Sequence, residues 1–325
     1  MRVLACPASL KGVLSATAAA QALVQGCRSA GADVRALPVA DGGEGTAEVL
    51  EASLGGEWRS ADVTDAFGTP REARWLSLPD GAAVLESAAA VPLDPRRREP
   101  LSASSRGYGE LIAQALQERP TSLLLCLGGT ATMDGGAGLR QVLRELPVPA
   151  RALFDVRSKL LEAPSLFGPQ KGASPADILE LERRLSAEVE LRRFAEIPGS
   201  GAAGGLGAAL AALGAELVPG APYVLETIGL REHLAESDLV VTGEGTVDAS
   251  TAAGKAPAAV AEAAQGAGVR CVVFGGRVLA PVRGAESIAL SGDPARAADD
   301  LRELAALLCG ADLLGERLEE LPRDG

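Results

Sequence analysis

The chain has 325 residues, 47% of them hydrophobic, enough to bury a sizeable core, and at roughly 100–200 residues per domain its length predicts two domains. A formal net charge of −12 repels polyanions, which argues against a nucleic-acid or anionic-membrane partner and leaves a small molecule, with room for a local basic pocket that holds phosphate. No run of about 18 apolar residues suggests a membrane span, and residues 1–7 are too short and too quickly interrupted for a signal peptide. The five widely spaced cysteines, Cys6, Cys27, Cys126, Cys271 and Cys309, signal neither disulfides nor zinc, so the expectation is a soluble, cytoplasmic protein with thiols in its core.

Residues 3–6 read as a strand, and Ser15 as the N-cap of a helix that carries Ala19, Leu23, Cys27 and Ala30 on one face and stops at Gly31. Residues 34–39 form a second strand, completing a β-α-β unit whose parallel strands gather loops at their carboxyl ends. Residues 58–93 differ: Val63, Trp75, Leu76, Val84 and Leu85 lie in short runs broken by Phe67-Gly68-Thr69-Pro70 and Pro79-Asp80-Gly81, the punctuation of hairpins. Residues 94–100, with Arg96, Arg97 and Arg98, read as a solvated loop. A helix at 108–117, a strand at 123–127 and a glycine loop at 128–138 repeat the first grammar. So do the strand 239–242, the loop 243–254, the helix 255–265 and the strand 270–274, before Asp293 and Pro294 open a last helix reaching Leu308. The class is α/β. The predicted boundaries are 1–45, 100–140 and 230–325 for a Rossmann/flavodoxin-like parallel-sheet domain, with 46–99 and 141–229 as a second α/β domain inserted in it.

Glycine is abundant, 39 residues against a typical level near 7%. Of four lysines, Lys11, Lys171 and Lys255 touch a glycine, which places a compact charge in crowded loops. In the segment 38–46 a strand ends in two carboxylates: Asp41 or Glu44 could hold Mg²⁺ or accept a hydroxyl proton beside Gly42 and Gly43, or the segment is a tight turn with Glu44 near a helix N-terminus. In 128–138, Gly128 and Gly129 free consecutive N–H groups for an anion and Thr130 and Thr132 add hydroxyls, but no lysine followed by Ser or Thr closes a Walker A loop. Gly201, Gly204 and Gly205 open a helix that could receive an anion or serve close packing. Lys171 is either a phosphate or carboxylate partner or a solvated loop lysine. In 241–248, Glu244 and Asp248 could act as base or metal ligand, while Lys255 could neutralise a phosphoryl group. The only histidine, His233, lies in a polar helical stretch, which argues against histidine or zinc chemistry. Together these loops suit phosphoryl transfer, which asks for positioning, a divalent metal and positive charge rather than a histidine or cysteine nucleophile.

The blocks at 7–16, 39–46, 105–111, 128–132, 167–173, 199–205 and 242–245 resemble, in the same order and over nearly the whole chain, the type I glycerate kinase family of bacteria. The resemblance implies ATP-dependent phosphorylation of D-glycerate to phosphoglycerate, the 2-phosphate favoured over the 3-phosphate, with Mg²⁺, on two α/β domains flanking an active-site cleft. ATP and glycerate are then the partners, and a homodimer is compatible with it. It implies catalytic roles for Asp41, Asp248 and Lys11, and binding roles for Ser9, Lys11, Gly42, Gly43, Glu44, Gly128, Gly129, Thr130, Thr132, Lys171, Gly201, Gly204, Gly205, Glu244 and Lys255. Asp41 and Asp134 become metal ligands. The chain departs from the family pattern inside its motifs: Ala8 stands for an expected Asp, Leu10 for an aromatic residue, Met133 for Asn, Thr246 for Arg and Ser250 for Gln, and the connection 139–153 is short. These departures open two alternatives, a protein of the kinase fold that binds a nucleotide or small acid without transferring phosphate, and a kinase for another small hydroxy acid.

Overall fold

The computed structural model describes residues 1–252 and 254–310. Eleven strands run in chain order among them: β1 (Arg2–Pro7), β2 (Asp33–Ala36), β3 (Glu57–Thr64), β4 (Pro70–Ser77), β5 (Ala82–Glu86), β6 (Ser122–Leu127), β7 (Ala150–Phe154), β8 (Glu216–Pro219), β9 (Leu239–Val247), β10 (Arg270–Val278) and β11 (Glu286–Ala289). They divide between two compact units, one made of Met1–Ala40 with the described residues from Leu225 onward, the other of Asp41–Val224.

The first unit is a five-stranded sheet in the order β11-β10-β9-β1-β2, every pair parallel. Counted within the unit, that order is 2-1-3-4-5, the flavodoxin-like winding. Its three central strands, β1, β9 and β10, begin as near-continuous buried apolar runs, as parallel strands covered on both faces require, while the edge strands β2 and β11 are largely exposed. Val3, Ala5, Val241, Val272 and Phe274 share one core with Ala19 and Leu23 of the helix Ala16–Ser29 and Leu301 and Ala305 of the helix Ala297–Cys309. Ser15 caps the first helix, its Oγ accepting the N–H of Ala18 at 3.2 Å. From β1 the chain winds outward to β2, and from β9 it winds the other way to β10 and β11. The carboxyl ends of β1 and β9 therefore form a topological switch point, where open α/β sheets bind ligands.

The second unit is a six-stranded sheet, β3-β4-β5-β6-β7-β8. β3, β4 and β5 pair antiparallel, as the hairpin punctuation of residues 58–93 predicts, and β5 to β8 are parallel. Leu123, Leu125 and Leu127 of β6 pack in one core with Tyr108, Leu111 and Ile112 of the helix Arg106–Gln117. The buried Tyr108 hydroxyl donates to the Leu85 carbonyl at 3.1 Å, tying that helix to β5.

Three segments are placed differently from the sequence expectation. Residues 100–140, expected with the first sheet, belong to the second, because β6 pairs with β5 and β7 along its whole length. A strand apolar on both faces suits either parallel sheet, and only its pairing partner fixes the address. Residues 41–45 likewise fall in the second unit and 225–229 in the first. The five cysteines are free, and burial pushes the thiols of Cys27 and Cys271 up to about 12, so they behave as core residues. Among the described residues no helix is long and apolar enough to cross a membrane.

Candidate active site

At the switch point of the first unit, β1 and β9 run side by side to Pro7↔Gly243, and the pairing is carried on by the Ala8 N–H donating to the Gly243 carbonyl at 2.9 Å. The Thr242 hydroxyl donates to the Cys6 carbonyl at 2.7 Å and locks the two strand ends. A Cβ on Gly243 would meet the Phe274 carbonyl at 2.2 Å, so only glycine lets β9 lie this close to β10. Ser9 is half-buried in the loop after β1, and Lys11 stands exposed on it, without an ion pair among the described residues. The backbone of Leu10 and Lys11 passes over Gly245, where an added Cβ would sit 3.7 Å from the Lys11 nitrogen.

Glu244 does not point at a vacant site. Its Oε1 accepts the Thr251 hydroxyl at 2.6 Å and its Oε2 pairs with the Lys255 ammonium at 3.2 Å, both side chains being mostly buried. Asp248 folds back on the turn that follows it: Oδ1 accepts the Ser250 N–H at 2.8 Å, the Ser250 hydroxyl at 2.5 Å and the Thr251 N–H at 3.3 Å. The Ser250 hydroxyl, with Lys255 adding to it, holds the Asp248 carboxyl below the usual range and keeps it ionised. Lys255 is the N-cap of the helix Ala256–Ala267 and leaves that N-terminus without a side-chain cap.

The second unit gathers its loops at the carboxyl ends of β5, β6, β7 and β8. The Leu127 N–H donates to the Gly42 carbonyl at 3.1 Å, and Asp41 turns its Oδ1 to its own loop, accepting the Gly43 N–H at 3.3 Å. Gly128 and Gly129 press against this turn: a Cβ on Gly128 would lie 3.2 Å from the Gly43 Cα, and one on Gly129 would lie 3.0 Å from the exposed Glu44 carboxylate. The structure thus brings Asp41, Gly42, Gly43, Glu44, Gly128 and Gly129 together. Residues 203–205 are all left-handed, including Ala203 at φ 51°, and the turn closes on the 128–138 loop, the Thr132 hydroxyl donating to the Ala203 carbonyl at 3.3 Å. Only glycine fits at 204, where a Cβ would meet the Thr132 carbonyl at 2.0 Å. Gly201, Gly204 and Gly205 are buried, so their observed role is close packing.

Lys171 is the unusual group of this unit. It is 4% exposed, donates to the Thr132 carbonyl at 2.8 Å and touches the Thr130 hydroxyl at 3.4 Å, and forms no ion pair with the described carboxylates. Burial lowers its pKa from 10.5 to about 7, with the Asp134 charge pulling the other way. Of the two sequence readings, the solvated loop lysine is excluded.

Asp134, expected as a metal ligand, has its oxygens occupied by the protein. Its Oδ2 accepts the Ser105 N–H at 2.8 Å, the Ser105 hydroxyl at 2.8 Å and the Gly138 N–H at 3.0 Å, and its Oδ1 accepts the Gly136 N–H at 3.1 Å. It joins the starts of the helices Arg106–Gln117 and Ala137–Val142, an architectural role for a carboxylate at helix N-termini. Met133 is 1% exposed and packs with Ala163 and Leu181, so that departure from the family pattern is a core residue.

Two residues that sequence reasoning passed over enter the picture. Thr246 on β9 pairs in register with Arg277 on β10, so the two side chains share a sheet face, and a guanidinium stands beside the position where the family pattern expects one. Arg277 is exposed and makes no ion pair among the described residues. Glu86 ends the apolar run of β5 and accepts the Ala47 N–H at 2.8 Å. A charge closing a buried strand was the available signal for it.

Fold and loops together define an α/β protein with glycine-lined, lysine-bearing loops at the carboxyl ends of two sheets. The glycerate kinase family model matches residues 3–146 and 146–292. The chain is 39% identical to the glycerate 2-kinase of Escherichia coli K12, over 82% of each chain, and 36% identical to the glycerate kinase of Bacillus subtilis 168, over 86% of this chain and 85% of that one. A solved Salmonella typhimurium LT2 structure provisionally named glycerate kinase 2 superposes with a TM-score of 0.79 at 32% identity, covering 95% of this chain and 97% of its own. The chain belongs to the glycerate kinase family.

Proposed function

We propose that this protein transfers the γ-phosphoryl group of ATP to D-glycerate, forming phosphoglycerate, with the 2-hydroxyl as the favoured acceptor. Its setting in this reading is the cytoplasm. The observation that carries it is Lys171, a buried ammonium with no carboxylate partner among the described residues, set against Thr130 and Thr132: an anion is what such a group lacks, and both reactants are anions. Lys11 and Lys255 add positive charge at the switch point of the first unit, where phosphates are commonly held.

In the transfer, the glycerate hydroxyl oxygen forms a bond to the γ-phosphorus, the β–γ bridging oxygen keeps the electron pair of the broken bond and leaves on ADP, and the hydroxyl proton passes to a carboxylate. We assign the proton to Asp41, whose carboxylate accepts a single N–H of its own loop, whereas Asp248 Oδ1 is already taken up by three donors of Ser250 and Thr251. Mg²⁺ is expected with ATP and would neutralise its phosphate oxygens. Among the described residues no three His, Cys, Asp or Glu side chains converge as a metal cage. That fits an ion held mainly by phosphates and water with one protein carboxylate, for which Asp248 is the suitable hard donor.

A second reading, ligand binding without transfer, is favoured by Ala8 and Thr246, which offer neither a carboxylate nor a guanidinium at the ends of β1 and β9. A coupled ADP-release assay with D-glycerate and MgATP separates the two. Turnover, with the product position read by NMR, supports the kinase; none above buffer at high enzyme concentration, alongside calorimetric nucleotide binding, supports the second reading.

A further inference from the structure

The helix Thr46–Leu54 begins directly after the Asp41–Glu44 turn, yet its own sequence provides no cap. Its N-cap is Gly45, at φ 91°, which has no side chain to accept the first N–H groups. The missing acceptor comes from another element. Glu86, at the carboxyl end of β5, places Oε1 2.8 Å from the Ala47 nitrogen and also draws on the Gly45 N–H. Its neighbour Ser87, fully buried, grips the other loop: its hydroxyl lies 3.2 Å from the Gly128 carbonyl and 3.3 Å from the Gly128 nitrogen. Two successive residues, the last of β5 and the first of the short helix Ser87–Ala90, thus fasten the two glycine loops that meet at Gly43 and Gly128.

We infer that Glu86 is a positioning residue for phosphoryl transfer, fixing the Asp41–Glu44 turn by accepting the first free N–H groups of the helix behind it. This rests on the kinase reading, because the turn matters through Asp41. The fastening is selective for reach. A carboxylate is an expensive choice at this place, since it is largely buried and faces the like charges of Glu44 and Glu48, with the neutral groups of Cys126 and Tyr108 beside it. What it supplies is an acceptor at one point. An amide of the same length keeps that acceptor; a shorter carboxylate keeps the charge and loses the position.

The test compares Glu86→Gln, Glu86→Asp and Glu86→Ala by steady-state kinetics and by amide hydrogen exchange at Gly45 and Ala47. Glu86→Gln is expected to keep kcat within about fivefold of the wild type, whereas Glu86→Asp and Glu86→Ala lose about 100-fold, with KM for either reactant changed by less than about threefold. Exchange at Ala47 should quicken at least about tenfold in the Asp and Ala variants and stay near wild type in the Gln variant. Full activity in Glu86→Ala, or equal losses in Gln and Asp variants, overturns the inference. If Glu86→Ala does not fold, the Gln and Asp pair decides. Wild-type inactivity would sink the kinase reading alone, and the exchange measurement would still judge the fastening, with unchanged protection in both short variants counting against it.

Discussion

Replacing Lys171 by methionine should make the protein more stable and less active, and the size of the gain should depend on pH in a defined direction. Lowering the ammonium from 10.5 to about 7 corresponds to a burial cost of roughly 5 kcal/mol for the charged form, at about 1.4 kcal/mol for each tenfold change in proton affinity. Against it stands the lost bond to the Thr132 carbonyl at 2.8 Å, about 1.5–3 kcal/mol for a charged donor. The net expectation for Lys171→Met is a gain of about 2–3 kcal/mol near pH 6, where folded and unfolded wild type both carry the proton. Between about pH 7 and 10.5 the unfolded chain binds more protons than the folded one, so wild-type stability rises with pH through that window and the methionine variant does not follow. Urea denaturation of both proteins near pH 6 and pH 9.5 measures this: the advantage of the variant should shrink by about 2 kcal/mol or more, or reverse. A variant no more stable than wild type near pH 6, or a difference flat in pH, refutes the assignment of Lys171 as a buried, unpaired cation. If that cation meets a reactant anion, kcat/KM falls by about 100-fold or more in the same variant.

Asp134→Asn removes the charge that holds donors from Ser105, Gly136 and Gly138 and should cost about 2–4 kcal/mol in denaturant unfolding; it also removes the charge that favours the Lys171 ammonium, so activity near neutral pH should fall even in the folded variant. Lys255→Ala leaves the Glu244 carboxylate with the Thr251 hydroxyl alone in a mostly buried place; the expected loss is about 1–3 kcal/mol of stability together with about 100-fold in kcat/KM, and a stability loss without an activity loss would remove Lys255 from the chemistry. Arg277→Ala should lower kcat/KM about tenfold with Arg277→Lys intermediate, and unchanged kinetics would show that the guanidinium beside Thr246 serves nothing in the reaction. Gly204→Ala, which brings a methyl onto the Thr132 carbonyl in a left-handed turn, should cost about 3 kcal/mol or more of thermal or denaturant stability.

Much of this architecture is legible in the chain because apolar runs and glycine punctuation are local signals. The helix capped by Ser15 and the hairpins of residues 58–93 follow from spacing alone. What was not local was not legible. Residues 122–127 announce a buried strand, but whether they extend the first sheet or join β5 depends on a partner 40 residues away, Ala82 pairing with Ser122. The roles of charged residues depend on partners in the same way. Lys171 and Asp134 look alike on paper, each a charge in a glycine loop, yet Lys171 forms no contact ion pair, feeling the Asp134 charge only through space, and Asp134 is saturated by four donors. A carboxylate that already accepts four hydrogen bonds has few lone pairs left for a metal, whereas a buried ammonium facing only a carbonyl and a hydroxyl is held in a state that an arriving anion improves. In the 199–205 block, which reads either as an anion site or as close packing, the glycines let backbone approach backbone, with Gly204 against Thr132. Loss of Asn at 133 and of Arg at 246 therefore carry unequal weight. Met133 is turned into a closed apolar cluster, while the face of Thr246 keeps a guanidinium from the neighbouring strand, so the functional consequence of a motif substitution follows from what register and packing put beside it.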